Sequence, residues 1–252
     1  MNLMEAIISG VIQGITEFFP ISSSGHLVLL HNAFGMKEPQ IAFDIFLHLG
    51  TLVSILIFFW KDIHNLFGKD RPMLILLAIA SIPTFAIGIT FEESIEKLFS
   101  MPKTTGLMLM ITGIWLGLAS FYNNISKENK KLGLLNSFII GVAQGVAIIP
   151  GISRSGATIA TGMLTGLDKE TSFRFAFLLA IPAILGASVV KASKISMSMV
   201  SEDAVYFIIG GLTAMAVGNF AIRALLRLVE RNQLYLFGVY CLVVGGMIVV
   251  SM

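Results

Sequence analysis

The stretch from Gly10 to His26, GVIQGITEFFPISSSGH, sets a carboxylate, three serine hydroxyls and an imidazole inside largely apolar sequence. Groups of that kind are costly to bury in a protein interior or a bilayer. From Gly141 to Ala157 the chain reads GVAQGVAIIPGISRSGA, and Gly, Val, Gln, Gly, Ile, Ser, Ser and Gly recur in register without a gap, 131 positions on. Eight identities in 17 positions make an internal repeat. The copies differ where charge matters: Glu17 stands opposite Ile148, Ser23 opposite Arg154 and His26 opposite Ala157. One copy carries the acid and the imidazole, the other the cation.

Around these stretches the chain of 252 residues is 56% hydrophobic and only 13% charged, with a mean hydropathy of +0.87. That composition belongs to an all-α integral membrane protein rather than a soluble domain. The N-terminal MNLMEAIISG lacks a basic n-region, carries Glu5 where a signal peptide wants a cation, and reads as mature protein. The single cysteine, Cys241, sits in an apolar run, which excludes an internal disulfide and favours packing over a thiol nucleophile. A net charge of +2 with no long basic run argues against a nucleic-acid partner.

Residues 3–19 are apolar, Pro20 and the Ser22–Gly25 run halt the helix, and a short apolar arm follows from Leu27 to Phe34. Each arm is shorter than the roughly 20 residues a span needs. The pair reads as a re-entrant hairpin with its tip at depth, admissible only where protein or a wet cavity surrounds the irregular backbone. Gly133–Ile149 and Ala157–Leu167 form the second such hairpin around Pro150–Gly156. Six further stretches read as spans: Ile41–Trp60, Met73–Phe91, Thr105–Phe121, Phe175–Val190, Ala204–Ile222 and Leu234–Met252. Lys37-Glu38-Pro39 makes a surface turn in the first half. The whole is one membrane domain: repeat 1 over 1–122, a polar linker over 123–132, and repeat 2 over 133–252. Three crossings per half oblige the second half to enter from the opposite face, so the repeats are inverted. Ten basic residues, among them Lys130 and Arg227, fall on one side and five, among them Lys37 and Lys194, on the other. The positive-inside rule then predicts a multi-pass membrane protein with both termini outside.

In each hairpin the serine-rich tip directly precedes the second arm, so hydroxyls and backbone N–H groups gather at a helix N-terminus, an anion site. Two such termini with the planar guanidinium of Arg154 suit a phosphate or diphosphate better than a single carboxylate. Glu17, one turn after Gln13, would repel that anion unless protonated or joined to it by a divalent cation, which argues for chemistry or metal beyond simple anion holding. Plainer readings stand beside these. Gly10, Gly14, Gly141 and Gly145 suit close helix packing, and Ser22 and Ser153 can bond their own backbone. His48 reads as a satisfied polar residue, Asp44 pairs with it or with Arg174, and Arg174 can snorkel from a span end.

QGITE followed by FPISSSGH, and PGISRSG followed by ATI, resemble the two signature motifs of the undecaprenyl-diphosphate phosphatases linked to bacitracin resistance; the FDIFLHLGT stretch is similar too. The resemblance runs from Glu5 to about Arg231. It implies a membrane enzyme of the cell-wall cycle that removes the terminal phosphate of a polyprenyl diphosphate with help from Mg2+ or Ca2+, and leaves room for a homodimer. Gln13 and Glu17 fall on the family's (Glu/Gln)xxxGlu motif, Ser22, Ser23 and Ser24 on its serine loop, His26 on its histidine, and Ser153, Arg154, Ser155 and Gly156 on PGxSRSG. The reaction expected has Arg154 and the hairpin termini clamping the diphosphate, Ser23 or a metal-positioned water attacking, Glu17 positioning nucleophile and cation, and His26 shuttling the proton. Gln13 in place of an acid leaves one carboxylate in the motif. The rival class is a secondary transporter or lipid flippase for a phosphate-bearing substrate, since inverted repeats around a midplane site also make transporters. The acid, serine and histidine on one hairpin opposite an arginine are more chemistry than anion transport requires.

Overall fold

A computed structural model describes residues 1–36, 40–99, 101–125, 130–192 and 197–251, and their regular structure is helical throughout. The expected turn at Lys37–Pro39, Lys194 and linker residues 126–129 lie outside the described residues. The first half comprises α1 (Leu3–Thr16), α2 (Ser23–Ala33), α3 (Ile41–Phe58), α4 (Trp60–Leu66), α5 (Arg71–Thr90), α6 (Glu92–Leu98) and α7 (Pro102–Ile125). The second comprises α8 (Leu134–Val146), α9 (Arg154–Leu164), α10 (Lys169–Ala192), α11 (Met197–Glu230) and α12 (Leu234–Ser251). Helices α3, α5, α7, α10, α11 and α12 are long and apolar enough to cross a membrane, in agreement with the six stretches expected. Arms α1, α2, α8 and α9 have 14, 11, 13 and 11 residues. At 1.5 Å per residue even the longest reaches only about 21 Å, against roughly 30 Å of bilayer core.

Local chemistry explains the arm boundaries. A capping box starts α1: the Asn2 side chain accepts from the Glu5 N–H at 2.9 Å, and the Glu5 carboxylate accepts from the Asn2 N–H at 2.8 Å. The serine runs do not stay outside the helices as expected. Ser22 and Ser153 are N-caps, their hydroxyls accepting from Gly25 N–H at 3.4 Å and Gly156 N–H at 3.1 Å, so α2 begins at Ser23 rather than Leu27 and α9 at Arg154 rather than Ala157.

The halves interlock reciprocally. Arm α1 packs on α11, where a Cβ on Gly10 would lie 2.6 Å from the Gly210 carbonyl oxygen and one on Gly14 2.8 Å from that of Ala214. Arm α8 packs on α5 in the same manner, Gly141 lying against the Ala80 carbonyl. These glycines permit close packing, as the plainer reading held. Helices α7 and α12 pair with each other, and α3 meets both α10 and α11. Beneath the first hairpin's tip, Phe18, Phe59 and Phe173 surround Phe177, with ring centroids 5.8, 6.0 and 4.7 Å from it. This apolar block fixes the tip against α3 and α10.

Candidate active site

The two tips touch. Gly151 N–H donates to the Ser22 hydroxyl at 3.2 Å, and a Cβ on Gly156 would meet the Pro20 Cβ at 3.1 Å. Helix α7 holds the second tip from behind: Thr112 Oγ1 donates to the Gly151 carbonyl at 3.1 Å and accepts from Ser153 N–H at 3.0 Å. Gly151 has φ of +96° and its Cα faces the Thr105 carbonyl, so no side chain fits there. Ser22 sits at φ +67°, a region a residue with a Cβ enters only when its surroundings enforce it. The enforcement is visible, since its hydroxyl serves both hairpins.

At this junction Glu17 is the hub. Its carboxylate is 4% exposed and pairs through Oε1 with Arg154 Nη2, whose side chain is 18% exposed. Its Oε2 accepts from Ser23 Oγ at 2.6 Å and from Gln13 Nε2 at 3.1 Å. Each group reaches this point for a local reason. Glu17 closes the last turn of α1, its N–H bonded to the Gln13 carbonyl, so both side chains share a face. Ser23 and Arg154 are first residues of α2 and α9, where the opening N–H groups of each helix have no partner within it. Arg154 Nη1 is buried without a hydrogen-bond partner, and so is Gln13 Oε1.

The remaining predicted residues build the junction. Ser22 and Ser153 are spent as caps. Ser24 and Ser155 bond to them, at 3.3 and 3.2 Å, and Gly156 supplies the tip-to-tip contact. His26 is not brought to Glu17. Its Nδ1 bonds the Ser22 carbonyl at 2.8 Å, which only accepts, so Nδ1 carries the proton and Nε2 accepts from the Tyr240 phenol at 2.8 Å. The imidazole that faces the carboxylate is His48, with Nε2 3.7 Å from Glu17 Oε2 and Nδ1–H donated to the Asp44 carbonyl at 2.8 Å. The signal that could have found it is the FDIFLHLGT motif, where an acid and a histidine share one helical face. Asp44 does not pair with Arg174: its carboxylate faces His31 at 3.9 Å, while Arg174 binds Asp62 at 2.6 Å and Asp70 at 3.3 Å. Arg174 thus joins α10 to α4 and the start of α5. Cys241 is buried and donates its S–H to the Pro20 carbonyl at 3.6 Å, a packing role.

Among the described residues no three His, Cys, Asp or Glu side chains group as a metal cage. The donor set that exists, one carboxylate with the unpartnered Gln13 Oε1 beside it, fits a hard cation that takes most of its ligands from substrate oxygens and water.

Comparison with known proteins adds the last observation. The chain matches the BacA family, bacitracin resistance protein BacA, over residues 6–247. It is 45% identical to a protein of Halothermothrix orenii named undecaprenyl-diphosphatase, covering 99% of this chain and 98% of the relative. Proteins of the same name from Carboxydothermus hydrogenoformans and Methanobrevibacter smithii are 42% and 39% identical, over 99% and 97% of this chain and 97% and 96% of theirs.

Proposed function

The chain belongs to the BacA bacitracin-resistance family, and from that membership and the geometry of the tip junction we propose that it hydrolyses undecaprenyl diphosphate to the monophosphate and phosphate. It is a multi-pass membrane phosphatase that recycles the carrier lipid of cell-wall synthesis. The observation that carries this reading is the hydrogen bond from Ser23 Oγ to Glu17 Oε2, on a carboxylate that also pairs with Arg154. A nucleophile, its base and an anion-binding cation thus share one buried point. A transporter needs the cation but has no use for a serine held at 2.6 Å by a carboxylate.

In the reaction we propose, the terminal phosphate draws Arg154 from Glu17, and the unpartnered Nη1 adds a second N–H to its oxygens. Ser23 gives its proton to Glu17 as its oxygen attacks phosphorus, and the bond from phosphorus to the bridging oxygen breaks. The departing polyprenyl phosphate is a stable anion and needs no proton, and the N-termini of α2 and α9 receive its charge. Water then releases phosphate from Ser23, with Glu17 returning its proton to the serine. His48 is the imidazole placed to steady Glu17 through these exchanges, while His26 holds the first turn of α2 against α12. A divalent cation, Mg2+ or Ca2+, would be held by Glu17 and Gln13 Oε1 and would neutralise charge on the phosphate oxygens.

The same proposal takes the two halves as an inverted repeat in one membrane domain, with both hairpins re-entrant and both termini outside. Its support is the reciprocal packing of α1 on α11 and α8 on α5, arms too short to span, and the excess of basic residues on one side. The junction draws its residues from one chain, so a second copy is not needed to complete it. The direct test is phosphate release from polyprenyl diphosphate by the purified protein in detergent, with and without a chelator. Release that Ser23→Ala abolishes supports the reading; no release by the wild-type protein with Mg2+ or Ca2+ refutes it.

A further inference from the structure

We infer that the cleft between α1 and α12 holds the first isoprene units of the substrate's chain, an inference that rests on the phosphatase reading above. The cleft measures about 400 Å3 and is walled by Ile12, Ile15, Phe19, Ile21, Leu236 and Phe237, within the range of small-ligand pockets. Its wall is interleaved with the catalytic tip: Thr16 lines it and Glu17 follows; Ile21 lines it and Ser22 and Ser23 follow. With the terminal phosphate of the substrate at Ser23, the chain, esterified to the inner phosphate, has as its adjoining apolar space this cleft, whose wall includes Ile21 and His26 on either side of Ser23 in the chain.

The polar side chains of the wall decide the chemistry of the occupant. Thr16 donates its hydroxyl to the Ile12 carbonyl at 2.7 Å. Tyr240 donates to His26 Nε2, and His26 Nδ1–H is taken by the Ser22 carbonyl, each at 2.8 Å. The His26 and Tyr240 rings lie nearly parallel, with centroids 5.8 Å apart and 16° between planes. Every N–H and O–H of these side chains is thus committed, so a sugar, headgroup or peptide entering here finds only the lone pairs of Thr16 and Tyr240 to donate to and leaves its other polar groups unpaired. A hydrocarbon has none to leave and gains the apolar contact. Phe19 and Phe237, with centroids 5.0 Å apart, brace the tip against α12 and keep the wall in place. The later isoprene units lie in the surrounding bilayer.

The experiment uses the full chain in detergent and an isoprenyl diphosphate carrying a photoreactive diazirine on its second isoprene unit. Crosslinks are expected on residues 12–21 and 234–240, and excess unlabelled isoprenyl diphosphate should remove them. Crosslinks on α5 or α10 instead, or crosslinks at the cleft that unlabelled substrate does not remove, overturn the inference; the latter would mean an ordinary lipid chain occupies it. The half-exposed Leu236 provides a second arm: Leu236→Trp narrows the cleft and should raise KM for the isoprenyl diphosphate about tenfold, the scale of a misfit of one or two methylenes. Its inhibition by inorganic pyrophosphate, which has no tail, should match wild type. An unchanged KM counts against the cleft. Absence of phosphate release by the wild-type protein would sink the phosphatase reading instead, and crosslinking reads binding whether or not turnover occurs.

Discussion

Replacing Arg154 by lysine keeps a positive charge and removes the planar fork. Arg154 Nη2 holds Glu17, and Nη1 is buried with no partner. On substrate binding both groups can turn to the terminal phosphate as two charge-assisted hydrogen bonds. Lysine presents one tetrahedral ammonium and cannot hold two phosphate oxygens in that geometry. Lysine keeps at most one of the two, and with about 3 kcal/mol for the charge-assisted bond lost the fall is roughly 100-fold in kcat/KM. The fold should survive, because α9 is capped by the Ser153 hydroxyl and positioned by Thr112, neither of which touches the guanidinium. The assay compares phosphate release from polyprenyl diphosphate by variant and wild type in one detergent, alongside thermal unfolding followed by circular dichroism. A folded Arg154→Lys protein with kcat/KM within about threefold of wild type, less than 1 kcal/mol on that scale, would refute the clamp.

Glu17→Gln keeps size but removes the charge that pairs Arg154 and receives the Ser23 proton; activity should fall by a similar factor, and normal turnover at neutral pH would reduce Glu17 to a packing residue. The same variant leaves a largely buried guanidinium unpaired, so the unfolding temperature should drop by the equivalent of about 3 kcal/mol, with an unchanged melting curve as the contrary result. Gly151→Ala places a Cβ at φ +96°, against the Thr105 carbonyl and 2.7 Å from the Met108 Cβ; a loss of at least about 2 kcal/mol of stability is expected, and wild-type melting would mean the second tip is not held as described. In a Cys241→Ala background, Lys37→Cys and Lys194→Cys should react with an impermeant thiol reagent on intact cells while Lys130→Cys and Arg227→Cys do not. Finding positions 130 and 194 on one side would defeat both the inverted repeat and the re-entrant second hairpin.

Much of this protein is written in its local sequence. The six crossing helices follow from uninterrupted apolar length, because a bilayer demands that length and tolerates little else. The four short arms follow from Pro20, Gly151 and the serine runs, and the repeat at 131 positions relates one pair of arms to the other. Glu17, Ser23 and Arg154 stood out because charge and hydroxyls in apolar stretches are expensive, and the tertiary structure does gather these three at one point. Gln13 was legible as well, since four residues along a helix is one turn whatever surrounds it.

What spacing could not convey is which neighbour each helix face meets. His26 and His48 are locally alike: each donates Nδ1–H to the carbonyl four residues back, Ser22 in one case and Asp44 in the other. Only the placement of Tyr240 on α12 beside the first turn of α2 gives the first ring its partner, and only the packing of α3 beside the tip turns the second to Glu17. For the same reason Arg174 could be read as a partner of Asp44 or a snorkelling cation, whereas helix placement brings it to Asp62 and Asp70. The serines show the converse: their hydroxyls suit phosphate, and competition from unpaired backbone N–H groups at the two helix starts makes Ser22 and Ser153 caps, with Ser24 and Ser155 bonded to them. The sequence by itself determined the membrane architecture and the chemical groups of the site, because hydrophobic length and the cost of buried polarity act along the chain. The tertiary structure decided which hydroxyl and which imidazole face Glu17 and which cleft lies beside the first tip, because those depend on the rotation and contact of helices far apart in sequence.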